Sequence, residues 1–193
     1  MPRMSAADAA RTAELILDTA TEHFASQSYA EVSLESIAAG AGVTRGAVYH
    51  HYSSKNKLFA AVAARLHSRI ADAVARAAAG ARSDSFAAIK AGSHAFLDAI
   101  TAGPAARVLL IEAPAVIGWD AWRDLDAQGS QKLLEEGLRE MGIGEGIVEA
   151  LTIQLSGAMN EAAIWVARQK NRRVALKKAH EALDVLLAVL ERE

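Results

Sequence analysis

Apolar residues in this chain recur every three or four positions, the period of helices with one buried stripe, and the alternation that marks strands is scarce. The period appears at once in Ala13, Ile16, Leu17, Ala20 and Phe24. Alanine dominates, and other strong helix formers surround it. With 193 residues, 52% of them hydrophobic, and only 3 prolines to interrupt helices, the chain can bury a sizeable core. An all-α fold is expected, with about nine helices.

Several function classes fall away on residue content. The absence of cysteine removes disulfides, thiolate metal sites and a cysteine nucleophile. The six histidines fall in no metal-ligand spacing, so neither a metal nor a cofactor is expected. Gly40, Gly42 and Gly46 are misplaced for a dinucleotide loop, and Ser156 has only Gly157 beside it rather than the flanking glycines of a nucleophile elbow. An enzyme is not expected. The start, Met1 to Ser5, lacks the apolar run of a signal peptide. The greasy stretch from Ile147 to Ala167 carries Glu149, Gln154, Asn160 and Glu161, too polar for an ordinary membrane span. No membrane partner and a cytoplasmic location are therefore expected.

The first helix is placed at about Ser5 to Ser26, and Ser33 caps a second that turns Leu34, Ile37 and Ala38 inward. Thr44 caps a short third helix ending at His51, and Ser53 or Ser54 caps a long fourth reaching about Ala79. A turn follows to Asp84, then a fifth helix to about Ala102. Gly103-Pro104 opens a short sixth helix, with Pro114 to Gly118 read as irregular. Three further helices are placed at about Trp119–Met141, Glu145–Gln169 and Arg172–Glu191.

The segment Ser33 to Lys57 has the physical requirements of a helix-turn-helix. Ala38 is small where two steeply crossing helices nearly touch, and Gly42 tolerates the positive φ of the turn. Ile37, Val43 and Val48 are spaced to lock the angle between them. Between Glu35 and Asp72 there is no acidic residue, while Arg45, Lys55, Lys57, Arg65 and Arg69 lie there with His50, His51 and His67. A local positive face on a chain of net charge −2 is what attraction to phosphates requires.

From Arg11 to Val62, the landmarks Phe24, IleAla at 37–38, AlaGlyVal at 41–43, GlyAlaValTyr at 46–49 and SerLysAsnLysLeu at 54–58 resemble the TetR family of bacterial regulators. The resemblance implies a helix-turn-helix DNA-binding domain in residues 1–53 and a helical ligand-binding and dimerisation domain in 54–193. Ser28 departs from the pattern, because the family usually has glycine just before this aromatic. The implied function is a regulator, commonly a repressor, that binds a near-palindromic operator in double-stranded DNA as a homodimer and answers to a small-molecule effector.

Chemistry and the matching motif positions together suggest roles. Arg45 has the donor fork for guanine O6 and N7, and Thr44 can cap its helix while donating to phosphate. Gly46 and Ala47 permit close approach. Tyr49 and His51 stand where the family touches the sugar-phosphate backbone, and His50 is placed for a base or a phosphate. Lys55, in the first turn of the fourth helix, resembles the family's phosphate lysine.

For a ligand pocket the expected residues are Phe96, Glu112, Trp119, Trp122, Ser156, Met159, Asn160 and Trp165. Lys90, His94 and Asp98 recur every fourth residue and read as a solvent stripe. The dimer surface is expected on the last two helices, as a four-helix interface. The competing reading is a helical ligand-binding or scaffold protein without operator binding. That would favour acids or bulky apolar residues on the third helix, and neither is present.

Overall fold

The computed structural model describes residues 6–81 and 84–192 and is helical throughout, with no strand among them. The proposed start at Ser5 and residues 82–83 of the proposed turn lie outside the described residues. Helix α1 spans Ala6–Ser26, α2 Leu34–Gly40, α3 Arg45–Tyr52 and α4 Lys55–Ala79. Each of the later three starts where the cap residues put it. Ser33 Oγ accepts from Ser36 N at 3.0 Å, Thr44 Oγ1 from Ala47 N at 3.2 Å and Ser54 Oγ from Lys57 N at 3.1 Å.

The turn between α2 and α3 is a Schellman motif. Gly42 has φ +65°, Gly42 N donates to Ala39 O at 3.2 Å and Val43 N to Ala38 O at 3.0 Å. A Cβ on Gly40 would lie 2.9 Å from Thr19 Cγ2, so α2 packs tightly on α1 at Gly40. Beneath these helices Ile16, Phe24, Ile37, Val48, Leu58 and Phe59 are buried. Phe24 meets Phe59 edge-on at 4.9 Å, and Tyr29 closes the cluster from the other side of Phe59 at 5.1 Å. Ser28 keeps a negative φ; its backbone N–H and its hydroxyl both donate to Glu31, at 3.0 and 2.7 Å. A glycine is therefore dispensable before Tyr29.

The larger half contains α5 (Ser85–Thr101), α6 (Ala105–Arg107), a π-helical stretch Val108–Glu112, α7 (Ala113–Ile117), α8 (Trp119–Gln128), α9 (Ser130–Glu140), α10 (Val148–Ala167) and α11 (Arg172–Leu187). Two expectations need correction. The stretch around Pro114 is helical, because proline at the start of α7 sits where its missing N–H is not needed. The expected single helix from Trp119 to Met141 is broken at Gly129, which has left helical geometry at φ −98°, ψ −123°. A glycine inside a helix costs about 1 kcal/mol relative to alanine, so a break falls there most cheaply.

Lys90, His94 and Asp98 are no solvent stripe. They face α11: His94 Nε2 lies 2.7 Å and Lys90 Nζ 3.0 Å from Asp184, and His180 Nε2 lies 2.8 Å from Asp98. Both hydrogen-bonded pairs span the gap between α5 and α11, and the two imidazoles lie 4.3 Å apart. Besides the packing of α4 on α5, polar joints tie the small half to the large one. Arg107 on α6 donates to the carbonyls of Phe24 and Ala25 at the end of α1, at 2.5 and 3.1 Å, while pairing with Glu112 at 2.6 Å. Asn56, in the first turn of α4, donates to Val116 O on α7 at 2.6 Å.

Candidate functional site

The outer face of α3 presents Arg45, Gly46, Tyr49 and His50 to solvent, with Thr44 exposed at its cap and Ala47 half-buried. No acid lies within α3 itself. Arg45 is held by two partners: Nη1 lies 2.6 Å from Glu35 Oε1 on α2, and Nη2 donates to Tyr49 Oη at 3.2 Å. The tyrosine hydroxyl first, then the glutamate charge, push the arginine's pKa upward. Because its side chain is 59% exposed, the guanidinium is oriented and remains open to an external acceptor. A Cβ on Gly46 would meet nothing closer than Thr44 Oγ1, at 3.8 Å. The protein's own packing therefore does not require glycine there.

Lys55 begins α4 with its Nζ 4.3 Å from the centroid of the Tyr29 ring and 3.4 Å from Ala30 O. It is half-buried, directly after the Ser53-Ser54 turn that ends α3. Ser53, at φ 61°, is the sole non-glycine of positive φ among the described residues, and it lets α4 follow α3 within two residues. His51 faces partly inward, its Nε2 buried without a partner, and its ring meets His50 edge-on at 5.4 Å. The two imidazoles therefore do not splay fully apart.

The positive face is narrower than the linear window of charges implies. Arg65 is mostly buried and bonded to both Glu14 and Asp18 of α1. His67 is buried, and desolvation lowers its pKa to about 4, so it is neutral near pH 7. Lys57 and Arg69 remain exposed. Helix α1 supplies acids that no reading of residues 35–72 alone can see.

A cavity of about 480 Å³ opens between α4, α5, α9 and α10. Phe96, Ser156 and Met159 line it, as expected, with Ile89, Ser93, Ser130, Gln131 and Leu134. Asn160 lies one turn beyond Ser156, outside the lining; both lower the pKa of the buried Asp126 carboxyl, which burial raises by more. Asn160 Oδ1, Gln131 Oε1 and Trp122 Nε1 are buried and unpartnered. Besides Asn160, four expected residues are not in the lining. Trp119 is exposed beside Arg123, Trp122 is buried, Glu112 is taken by Arg107, and Trp165 lines a separate groove between α10 and α11. Gln131 and Ser130 were missed because they sit at the Gly129 break, which the helical period conceals.

That second groove is apolar, bounded by Ala158, Ala162, Trp165, Ala182 and Leu186. Ile153, Val174 and Val185 are further exposed apolar residues on the same two helices, and Val189 is another just past the end of α11. Other members of the expected stripes, Val148, Leu155, Met159, Ala179 and Leu183, are buried within the subunit. No single helix among the described residues is long and apolar enough to cross a membrane.

Family models match both parts of the chain: "Bacterial regulatory proteins, tetR family" over residues 16–62, and "Tetracyclin repressor-like, C-terminal domain" over residues 86–190. The transcriptional regulator SrpR of Pseudomonas putida is 46% identical over 68 residues, 35% of this chain and 32% of that protein. AcrR of Shigella flexneri is 42% identical over 62 residues, 32% of this chain and 29% of that protein. The matched stretch thus spans about a third of the length of these curated relatives. A tetR-family transcriptional regulator from Pectobacterium atrosepticum has a solved structure that superposes with a TM-score of 0.77 at 28% identity, over 96% of this chain and 97% of that one.

Proposed function

Because the chain belongs to the tetR family of bacterial regulatory proteins, whose C-terminal model alone covers more than half its length, we propose that it is a repressor that binds a near-palindromic operator as a homodimer. The observation that carries this reading is the outer face of α3: acid-free, exposed, with small residues near its start and an oriented arginine beside them. Such a helix can enter a major groove.

In this reading residues 1–53 form the DNA-binding domain and 54–193 the sensing and dimerising one. Arg45 reads a guanine edge, Gly46 and Ala47 allow close approach, and His50 reaches a base or phosphate. Thr44, Tyr49, His51 and Lys55 hold the backbone. The exposed apolar surface of α10 and α11 pairs with its copy in a second subunit, which places two reading helices about 34–36 Å apart, one turn of DNA. The cavity takes a small effector against Phe96, Ser156 and Met159. An effector that favours a different position of α4 alters the spacing of the two heads and releases the operator. The protein acts where the chromosome is, in the cytoplasm.

Selection of bound fragments from a random duplex pool tests the proposal. The expected result is a near-palindromic site whose affinity falls steeply with salt while its preference persists. Recovery of no such site at moderate salt would favour a helical scaffold without operator binding.

A further inference from the structure

We propose that the cavity between α4, α5, α9 and α10 receives an amphipathic organic cation, its charged group at Glu136 and Glu140 and its apolar body against Ile89, Phe96 and Met159. This rests on the reading of that cavity as the effector site.

The argument starts from the lining. Among the described residues that form it, the ionisable side chains are Glu136 and Glu140, and none is lysine, arginine or histidine. Leu133, Glu136, Gly137 and Glu140 follow the i, i+3, i+4, i+7 spacing, so one face of α9 turns both carboxylates and a leucine toward the same space. Glu140 has no ion-pair partner among the described residues, and Glu136 has only Lys132, 3.8 Å away at the surface. The other acids and bases of α9 are engaged elsewhere: Arg139 pairs with Glu135 at 2.5 Å and Glu145 at 3.0 Å.

The interior adds to the same sign. Ser156, a neutral hydroxyl, stands in the wall. Gln131 Oε1, also in the wall, is buried and lacks a donor. An anionic ligand would find two like charges and no countercharge. A neutral apolar one would leave the glutamine oxygen unsatisfied. A cation with an N–H donor meets both requirements, while Ile89, Phe96, Leu134 and Met159 cover its apolar part. The width is set by close contacts: a Cβ on Gly92 would lie 3.3 Å from Val74 Cγ1, and one on Gly137 3.0 Å from Ile89 Cγ1.

The test is titration calorimetry on the full-length protein with two pairs of probes matched in shape and opposed in charge. One pair is 2-naphthylmethylammonium and 2-naphthylacetate; the slimmer pair is octylammonium and octanoate. The cation of at least one pair should bind once per subunit and its anion at least about tenfold more weakly. Combined Glu136→Gln and Glu140→Gln substitution, at exposed positions that leave the core intact, should weaken the cation by about tenfold and leave operator binding in its absence unchanged. Gly92→Leu should exclude the cation by filling the cavity, with folding checked by circular dichroism. Equal or stronger binding of the anion, indifference to loss of both carboxylates, or no binding of either cation overturns the inference. If an operator is selected but no cation binds, this inference alone fails. If a cation binds but no operator is selected, the repressor reading alone fails.

Discussion

Arg45 of the exposed helix α3 and Glu35 of α2 form a 2.6 Å ion pair across the turn that joins the two helices. Tyr49 Oη accepts from the same guanidinium one turn further along. In the proposed function, DNA competes with an acid of the protein's own for this guanidinium. Arg45→Ala should cost about 1–3 kcal/mol of discrimination at one position of the selected operator. Glu35→Gln should tighten binding, because it frees the arginine and removes a negative charge near phosphates. Fluorescence anisotropy against single-base variants of the site checks both. A uniform loss on all sequences for Arg45→Ala would assign it to the backbone instead.

Lys55 is steered by the face of Tyr29, 4.3 Å from its ammonium. Lys55→Ala should weaken binding to all sequences alike and reduce the slope of log affinity against log salt by about 1. An unchanged slope would mean that the lysine serves only to pack the tyrosine.

Arg107 closes the junction between the two halves, and its partner Glu112 is only 14% exposed. Arg107→Met leaves that carboxylate without its countercharge and two carbonyls of α1 without a donor, and should lower stability by about 2–4 kcal/mol. Adding Glu112→Gln should recover part of the loss, a coupling that urea denaturation of the two single variants and the double variant would measure. Additive losses would show the pair to be energetically independent.

His67 gives the fold a definite response to acid. Its imidazole has a pKa near 4 in the folded chain and about 6.5 when unfolded. Between those values the unfolded chain binds the extra proton, so stability falls as pH drops from about 7 toward 4 and then levels off. At pH 5 the loss from this group is about 2 kcal/mol. His67→Met should be more stable than the parent at pH 5 and close to it at pH 7.5, as read by denaturant midpoints. A difference independent of pH would locate the effect in packing.

The apolar surface of α10 and α11 offers a test of assembly. Trp165→Glu with Leu186→Glu, both at exposed positions, should leave the subunit folded but monomeric in sedimentation. Operator affinity should fall by about 10²–10⁴, since the second head then binds without the benefit of a tether. Dimers that persist would move the interface elsewhere.

The reading head was legible in the sequence because its determinants are local. Caps at Ser33, Thr44 and Ser54, the turn at Gly42 and the stripe Ile37, Val43, Val48 all act within a few residues of one another. What stayed hidden depends on distance along the chain. Arg65 reads as part of a positive face, yet its carboxylates lie 47 and 51 residues away on α1. His94 reads as solvent-facing until Asp184, 90 residues on, is brought against it. The cavity was half legible: Ser156 and Met159 put a polar and a greasy group close together on α10 and Phe96 lies in the apolar stripe of α5, whereas Glu136 and Glu140 look like ordinary surface charges. Trp119, Trp122 and Trp165 drew attention by size, which says nothing about the direction in which a ring points.

Apart from the pairing of Arg65 with Glu14 and Asp18 and of Arg45 with Glu35, the side-chain bonds that tie the elements of the small half together and to the large one end on main-chain oxygens. Arg107 reaches the carbonyls of Phe24 and Ala25, Tyr52 that of Ala13 at 2.9 Å, and Lys55 that of Ala30, while Asn56 reaches Val116 in the same manner. A carbonyl cannot be mutated away. The vulnerability of these joints is therefore one-sided: four donor side chains can be lost, whereas acceptor residues outside the core, unlike buried Phe24, are free to drift in size and polarity so long as the helices stay put. A mutational scan of the junction should thus return a lopsided map, intolerant at 52, 55, 56 and 107 and permissive at exposed Ala30 and half-buried Val116.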